Sequence, residues 1–388
     1  MAPFFVSIVS DADHWLFVSS TGGLTAGRVS PATALFPYVT VDKVHESAVH
    51  TGCKTILQLD IDGKHYEWEP FNMEHDGLYQ ITRNIYKNVL GNKLCFEEIN
   101  QDLQLLYRYT WETSDDYGFV RRCELCNLSD ADASIDIVDG LQNILPAGTP
   151  RSLQERSSNL VDAYKWSELD PVTGLALFTL FSGISDRAEP CESLQANTVF
   201  CLGLDDRKVL ISSDQLEDFR LGHVLRQETH KRGVRGAYLV NKKIELAAGA
   251  EQHWLFVADI ERSQPEVLSL MKRLSKPDQV ADEIRHSVDA GSDRLSRIMA
   301  SSDGFQMVNE ENVAVHHYAN VLFNVLRGGI FHDQYHISSA DFVPNIRHFN
   351  QAVYRRHEQL LTGLPENIDY AELLTTVRQQ GDAPVSYT

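Results

Sequence analysis

The sequence has 388 residues, with 35 Lys and Arg against 54 Asp and Glu, and its formal net charge is −19. This acidity argues against a protein that binds nucleic acid or an anionic membrane, because neither polyanion would attract it. The 43% of hydrophobic and 23% of charged residues exclude a disordered chain and predict a folded globule. Its length suggests two domains, or one large β domain with an attached piece.

The sequence carries no targeting or membrane signal. Its most apolar stretch, residues 174–181, is well short of the roughly 20 residues that a transmembrane helix needs. The first residues lack a basic region, and Asp11 and Asp13 follow at once, which argues against a signal peptide. Six cysteines in this length are too few for a disulfide framework, so we expect a cytoplasmic protein.

From the start to about residue 262 the sequence has the alternation of β-strands. Residues 55–61 and 64–68 flank Asp62-Gly63, the strongest short hairpin signal, and residues 103–111 alternate large aromatic with polar side chains. Further strands are predicted at 119–128, 134–138, 175–181, 198–204, 208–212, 237–240 and 253–260. Because short turns rather than helices connect these strands, the pattern predicts a large antiparallel β-sandwich.

From residue 263 the apolar period becomes helical. Helices are predicted near Pro265, after Asp278, at 313–327, at 341–361 and after Asp369. The helix at 313–327 is apolar on almost every side, which predicts that it is buried all round. The fold class is therefore β-rich α+β, with a β-sandwich domain at 1–262 and a helical region at 263–388.

Cys123 and Cys126 have the C-x-x-C spacing but fall in a predicted strand, where positions i and i+3 face opposite sides. The sequence has no second pair or His cluster at zinc spacing. His316 and His317 are adjacent on a predicted helix, so they point about 100° apart and cannot readily hold one metal. We therefore expect no metal site and no cofactor.

Two loops contain candidate substrate-binding residues. In the first, Gly22 and Gly23 permit close backbone approach, and Arg28 can hold an anion or a sugar hydroxyl. In the second, Arg327 and Asp333 lie in a loop with many polar side chains. For both loops the alternative is ordered packing on neighbouring structure without a ligand. The motifs G-x-S-x-G, H-E-x-x-H and G-x-G-x-x-G are missing, so no catalytic residue is predicted.

Three segments of the chain resemble large carbohydrate-active enzymes akin to cellobiose phosphorylase. They are residues 20–43, which begin S-T-G-G-L-T-A-G-R; residues 105–111 and 121–130, which end in N-L-S-D; and residues 235–238 (R-G-A-Y) with 245–252. The resemblance covers about the first two-thirds of the chain. It implies an N-terminal β-supersandwich of the galactose-mutarotase-like kind, followed by a helical linker, an (α/α)6 barrel and a C-terminal β layer.

In that family the general acid is an Asp of the barrel, which lies further along than this chain extends. A barrel of this kind needs about twelve helices, whereas about five are predicted here. The resemblance thus implies the N-terminal, substrate-shaping part of a glycoside phosphorylase or hydrolase, which would be inactive alone. The partners it implies are an oligosaccharide or sugar phosphate and a C-terminal catalytic domain, and a homodimer is left open.

A self-sufficient sugar mutarotase or epimerase is a second interpretation. Such chemistry needs a carboxylate base and an imidazole acid that face each other over a concave sheet. The histidines of the β region that could serve are His14, His223, His230 and His253.

A non-catalytic carbohydrate-binding module is a third interpretation. It would need aromatic side chains on an exposed sheet face that stack on sugar rings, and the alternative for such residues is core packing. The candidates are Tyr66, Trp68, Tyr107, Tyr109 and Trp111.

Overall fold

The computed structural model of the protein describes residues 3–61, 63–183, 194–306, 308–326 and 336–380. The chain forms two compact units, residues 1–292 and residues 293–388. The change from strand to helix falls between Ser263 and Gln264. The domain division expected after residue 262 stays a prediction.

The first unit is mostly β-structure, and its neighbouring strands pair antiparallel. The strands are β1 (Phe5–Ile8), β2 (His14–Ser19), β3 (Leu24–Arg28), β4 (Ala34–Phe36), β5 (Gly52–Ile61), β6 (Lys64–Trp68), β7 (Ile81–Lys87), β8 (Leu94–Asn100), β9 (Leu105–Ser114), β10 (Gly118–Asn127), β11 (Ala133–Ile144), β12 (Lys165–Leu169), β13 (Ala176–Leu180), β14 (Gln195–Leu202), β15 (Lys208–Leu210), β16 (His230–Arg232), β17 (Gly236–Leu246) and β18 (Glu251–Ser263). Two short strands, β19 (His336–Ser338) and β20 (Asn367–Asp369), pair in the second unit.

The described helices lie between the strands and after them. They are α1 (Val41–Glu46), α2 (Arg151–Tyr164), α3 (Leu216–Arg220), α4 (Gln264–Leu274), α5 (Pro277–Ser301), α6 (Glu311–Leu326), α7 (Ser339–Phe349), α8 (Gln351–Arg356), α9 (Glu358–Thr362) and α10 (Tyr370–Gln379). Sequence alternation does not indicate α2, because Val161 is its single buried residue and its apolar stripe is therefore too weak to detect.

Within the described residues the strands form a nine-stranded sheet (β16-β12-β13-β14-β18-β10-β9-β8-β7), a five-stranded sheet (β15-β17-β11-β5-β6) and a four-stranded sheet (β1-β2-β3-β4). Alternate side chains of the two larger sheets, such as Tyr107, Leu141 and Phe256, share one core. The predicted antiparallel β-sandwich followed by a helical region is confirmed. The predicted hairpin is also confirmed, since Ile61 of β5 pairs with Lys64 of β6.

A buried ion pair joins the two larger sheets. Arg121 of β10 and Asp139 of β11 are both fully buried, with Nη2 and Oδ1 3.0 Å apart. The carboxylate also accepts hydrogen bonds from Thr55 (2.7 Å), Tyr107 (3.2 Å) and the Trp254 indole (2.7 Å). Burial of charge is costly unless the group is paired and hydrogen-bonded, and here Asp139 meets both conditions.

Helix α4 and the part of α5 that lies in the first unit, residues 277–292, cover one face of the nine-stranded sheet. Leu270 and Ile284 lie in one apolar cluster with Phe200 and Val257 of the sheet. Ser263 and Glu266 form a capping box at the start of α4, and Pro265 lies in its first turn. A helix is predicted after Asp278, and α5 buries one stripe of it, formed by Val280, Ile284 and Val288.

Two helix predictions for the second unit are wrong. The helix predicted at 341–361 is divided into α7, α8 and α9, because Asn350 and His357 adopt non-helical backbone angles and the Asn350 side chain caps α8. The expected burial of α6 on all sides also fails. Its Tyr318, Val321 and Leu322 are buried, whereas Val313, Val315, Phe323 and Leu326 are exposed.

Candidate functional site

The first unit contains a cleft of about 310 Å³ at one end of the hairpin β5–β6. Its walls come from the β2–β3 turn, α1 and the turn after it, the start of β5, the loop after β6, β9 and the end of α3. Its charged, imidazole and amide side chains are those of His45, Lys54, Glu69, Asn72, Glu74 and Arg220. Concave sites that combine apolar walls with a few convergent polar groups are the usual places for small ligands.

A clamped carboxylate dominates the chemistry of the cleft. Glu69 is buried, and its two oxygens accept hydrogen bonds from Lys54 and Arg220. Arg220 also donates to Glu67. Burial would raise the pKa of Glu69, but the charges and hydrogen bonds of Lys54 and Arg220 outweigh it, so the pKa lies below its ordinary value. Glu69 is therefore an ionised hydrogen-bond acceptor at neutral pH.

Phe71 forms an aromatic wall of the cleft in a strained conformation. Its φ is +65°, in the left-handed region, which costs a bulky residue on the order of 1–3 kcal/mol. Its backbone N–H donates to Glu98 at 2.8 Å, and its ring meets those of Phe96 and Tyr109 edge-on. Glu98 is itself fully buried, so the surrounding structure holds Phe71 in this position.

His45 lies on α1 and brings an imidazole to the same cleft. Its Nδ1 is buried and has no hydrogen-bond partner in the part of the chain that the structure describes. An unsatisfied buried donor or acceptor is costly, so it is a natural place for a ligand hydroxyl or a water to bind.

The structure places the predicted glycines at the edge of this cleft. Gly22, with a φ of +89°, lines it in the β2–β3 turn. Gly23 instead packs against α1, where a Cβ atom would lie 1.9 Å from the Val44 carbonyl oxygen. The turn therefore serves to bring α1 close to the cleft, a role that needs residues without side chains.

Arg28 lies elsewhere, in a second cleft of about 210 Å³. Its guanidinium donates to Asp13 at 2.7 Å and to Asp259 at 3.3 Å. His14 lies on the same hairpin, and burial, helped by the Arg28 charge, lowers its pKa to about 4. The structure thus does not bring Arg28 together with Gly22. Arg327 and Asp333 lie outside the described residues.

The remaining sequence candidates are mostly core or surface residues. His223, His230 and His253 are exposed and pair with neighbouring carboxylates. His253 lines a separate cleft of about 470 Å³, and, within the described residues, none of the four histidines lines the cleft at the hairpin β5–β6. Four of the aromatic candidates are buried in the core, and Tyr66 packs against it. Sugar stacking on an exposed sheet face is therefore contradicted for these four residues: Trp68, Tyr107, Tyr109 and Trp111.

The two cysteines of the C-x-x-C spacing point to different environments, as predicted. Cys123 is buried in the core, whereas Cys126 lies beside Glu124 and Glu251, with possible ligand atoms within 4.8 Å of one another. Burial and the hydrogen bond to Glu124 raise the pKa of Cys126 to about 12. In this structure both carboxylates of the group have partners, since Glu124 pairs with Arg108 and Glu251 with His253.

Sequence reasoning missed Lys54, Glu69 and Arg220. A sequence signal exists for Lys54 and Glu69. The turn at Asp62-Gly63 sets a register that pairs Leu57 with Trp68, and the same register extended by one residue places Glu69 opposite Ile56. Lys54 is then the diagonal neighbour of Glu69 on the same face. Arg220 comes from α3, more than 150 residues along the chain, and no local pattern brings it to that hairpin. The positive φ of Phe71 likewise has no sequence signal.

Comparison with known proteins gives one family match. Residues 331–386 match the model of glycoside hydrolase family 149 insertion domain 1. The described part of this segment comprises β19, β20 and helices α7 to α10. No curated protein matches the chain. The match associates the chain with carbohydrate-active enzymes.

Several solved structures are similar to the chain at low identity. A bacterial glucoamylase complexed with acarbose shares 8% identity over 78% of this chain and 39% of its own, with a TM-score of 0.42. A GalM/aldose epimerase homologue from C. elegans shares 10% identity over 68% of this chain and 100% of its own, with a TM-score of 0.38. A protein described as a kojibiose phosphorylase from the human microbiome shares 11% identity over 63% of this chain and 27% of its own, with a TM-score of 0.33. The chain spans less than half the length of the glucoamylase and the phosphorylase.

Among the described residues, no helix is both long and apolar enough to cross a membrane.

Proposed function

We propose that this chain is the N-terminal, non-catalytic part of a carbohydrate-active enzyme of the glycoside phosphorylase or hydrolase type. The observation that carries the proposal is the match of residues 331–386 to a glycoside hydrolase insertion domain. This segment follows a large antiparallel sandwich, the architecture that the resemblance to cellobiose-phosphorylase-like enzymes implies. In this proposal the sandwich packs on a C-terminal catalytic domain and shapes access to its substrate.

The electrostatics of the cleft at the hairpin β5–β6 support a binding role over a catalytic one. A general acid needs a raised pKa, and an efficient general base needs a pKa near the working pH. Glu69 has a lowered pKa and is held by two cations. Such a carboxylate positions hydroxyl groups well but is a weak proton acceptor.

A sugar mutarotase or epimerase is the second candidate. The observation that favours it is that His45 and Glu69, an imidazole and a carboxylate, line the same cleft. This is the pair of groups that proton transfer at a sugar carbon or ring oxygen would use.

A turnover assay separates the two candidates. The full chain is incubated with neutral mono- and oligosaccharides while hydrolysis, phosphorolysis in inorganic phosphate, and mutarotation are followed, and binding is measured by calorimetry. We expect saturable oligosaccharide binding without turnover. Mutarotation at enzyme-like rates would establish the second candidate, hydrolysis or phosphorolysis would overturn the non-catalytic role, and failure to bind any saccharide would overturn the substrate-shaping role.

The mass of the native protein tests the proposal that this chain is one part of a larger enzyme. An antibody against this chain is expected to detect a polypeptide much longer than 388 residues in the source cells. Detection of a polypeptide of this length alone would favour a self-standing carbohydrate-binding module.

A further inference from the structure

We propose that the cleft at the hairpin β5–β6 binds a vicinal diol of a neutral saccharide, with Lys54 as hydrogen-bond donor and Glu69 as acceptor. The choice of a sugar rests on the proposed function, whereas the choice of these two residues rests on the geometry of the cleft. The inference names both the chemical class of the ligand and the residues that recognise it.

The hydrogen-bonding capacity of the pair fits a diol. A lysine ammonium has three N–H donors, and the Lys54 contact with Glu69 uses one of them. A carboxylate has about four acceptor sites, and Lys54 and Arg220 occupy one on each oxygen of Glu69. One sugar hydroxyl can therefore accept from Lys54 while its neighbour donates to Glu69, and both bonds are charge-assisted.

The charge balance of the cleft favours a neutral ligand over a sugar phosphate. Its lining contains two cations, Lys54 and Arg220, and two carboxylates, Glu69 and Glu74. Both cations already have carboxylate partners. Lys54 and Arg220 both pair with Glu69, and Arg220 also pairs with Glu67, which lies outside the lining. A phosphate would meet no surplus of positive charge here, and Glu74 would repel it.

The walls of the cleft add recognition of the sugar ring. Phe71 supplies an aromatic surface, and the unsatisfied Nδ1 of His45 supplies a further polar contact. A left-handed φ in a bulky residue is over-represented where a ligand is held, and the hydrogen bond to Glu98 fixes Phe71 in this conformation.

Calorimetric titration of the full chain with neutral gluco-oligosaccharides of different linkages tests the inference. We expect Lys54→Met to weaken binding of the best ligand by tenfold or more. Lys64→Met, on the exposed part of the same hairpin, is expected to change binding by less than twofold. Glucose 1-phosphate is expected to bind no more tightly than glucose, and preference for the phosphate by tenfold would overturn the choice of a neutral ligand.

A second variant keeps the test decisive if Lys54→Met fails to fold. Val49 lines the cleft but is 66% exposed, so Val49→Trp narrows the mouth without touching the ion pairs. We expect the same tenfold loss of binding. Wild-type binding that neither variant weakens would overturn the site while leaving the proposed function intact, whereas a wild-type chain that binds no saccharide would remove the proposed function itself.

Discussion

Asp139 is the residue whose loss we expect to be most damaging to stability. Asp139→Asn would leave Arg121 charged and fully buried without its counter-ion. Removal of one partner from a buried ion pair costs about 3–5 kcal/mol. Urea unfolding at pH 7 should therefore show a loss of this size in the free energy of unfolding.

Asp136→Asn is the matched control for that prediction. Asp136 lies on the same strand, β11, but is partly exposed and accepts a hydrogen bond from the Asn241 side-chain amide at 2.7 Å. We expect its substitution to cost less than about 1 kcal/mol. Equal losses for the two variants would contradict the special role of the pair between the sheets.

Gly23 should not tolerate even one methyl group. The Cβ of Gly23→Ala would lie 1.9 Å from the Val44 carbonyl, so α1 must move. We expect a loss of about 1–3 kcal/mol or more from overpacking, together with weaker saccharide binding in the cleft. Gly63→Ala is the control, because a Cβ atom at this position meets no atom within 4 Å. Its positive φ should lower the free energy of unfolding by about 1–2 kcal/mol and leave saccharide binding unchanged.

His14 should make stability fall as the pH is lowered from about 6.5 to 4. Its pKa in the fold is about 4, against 6.5 in the unfolded chain, so the unfolded state binds the proton first and acid favours unfolding. The contribution is on the order of 2–3 kcal/mol. Urea unfolding of the wild type and of His14→Gln across this pH range separates the contribution of His14 from that of the carboxylates. Identical pH dependence of the unfolding free energy in the two proteins would contradict a lowered pKa for His14.

At the scale of elements, the docking of α4 on the sheet depends on one face of that helix. Leu270 is 3% exposed and lies in the apolar cluster with the sheet, whereas Leu268 is 67% exposed. We expect Leu270→Ala to cost about 2–5 kcal/mol and Leu268→Ala less than about 0.5 kcal/mol in thermal or urea unfolding. Similar costs at the two positions would show that the helix does not bury this face.

The elements that the sequence predicts are those whose signal is local. Asp62-Gly63 sets a hairpin and Leu105 to Trp111 alternate, and both become strands. Helix α2 is missed because it buries almost nothing, and Asn350 breaks a predicted helix because its side chain caps the next one. The cleft needs Arg220 beside Glu69, a contact that the tertiary fold alone creates.

At the scale of the whole molecule, the two compact units should unfold separately. Each has buried apolar residues of its own, for example Leu270 in the first and Leu373 in the second. In calorimetry we expect Leu373→Ala to lower one transition by roughly 10 °C and to leave the other in place, with the opposite result for Leu270→Ala. Leu326→Ala, exposed in the second unit, serves as the control. One transition that both core variants shift equally would contradict this expectation.

The ion pair between the sheets has a consequence for how the sandwich assembles. Since side chains alternate along a strand, a slip of β11 by one residue would turn Asp139 away from Arg121. Strand β11 has apolar side chains on both faces, with Ile137 in the shared core and Val138 in a cluster on the other side, so apolar burial alone discriminates weakly against such a slip. A buried guanidinium without its carboxylate is far more costly. The pair thus favours the observed register of β11 over a register shifted by one residue.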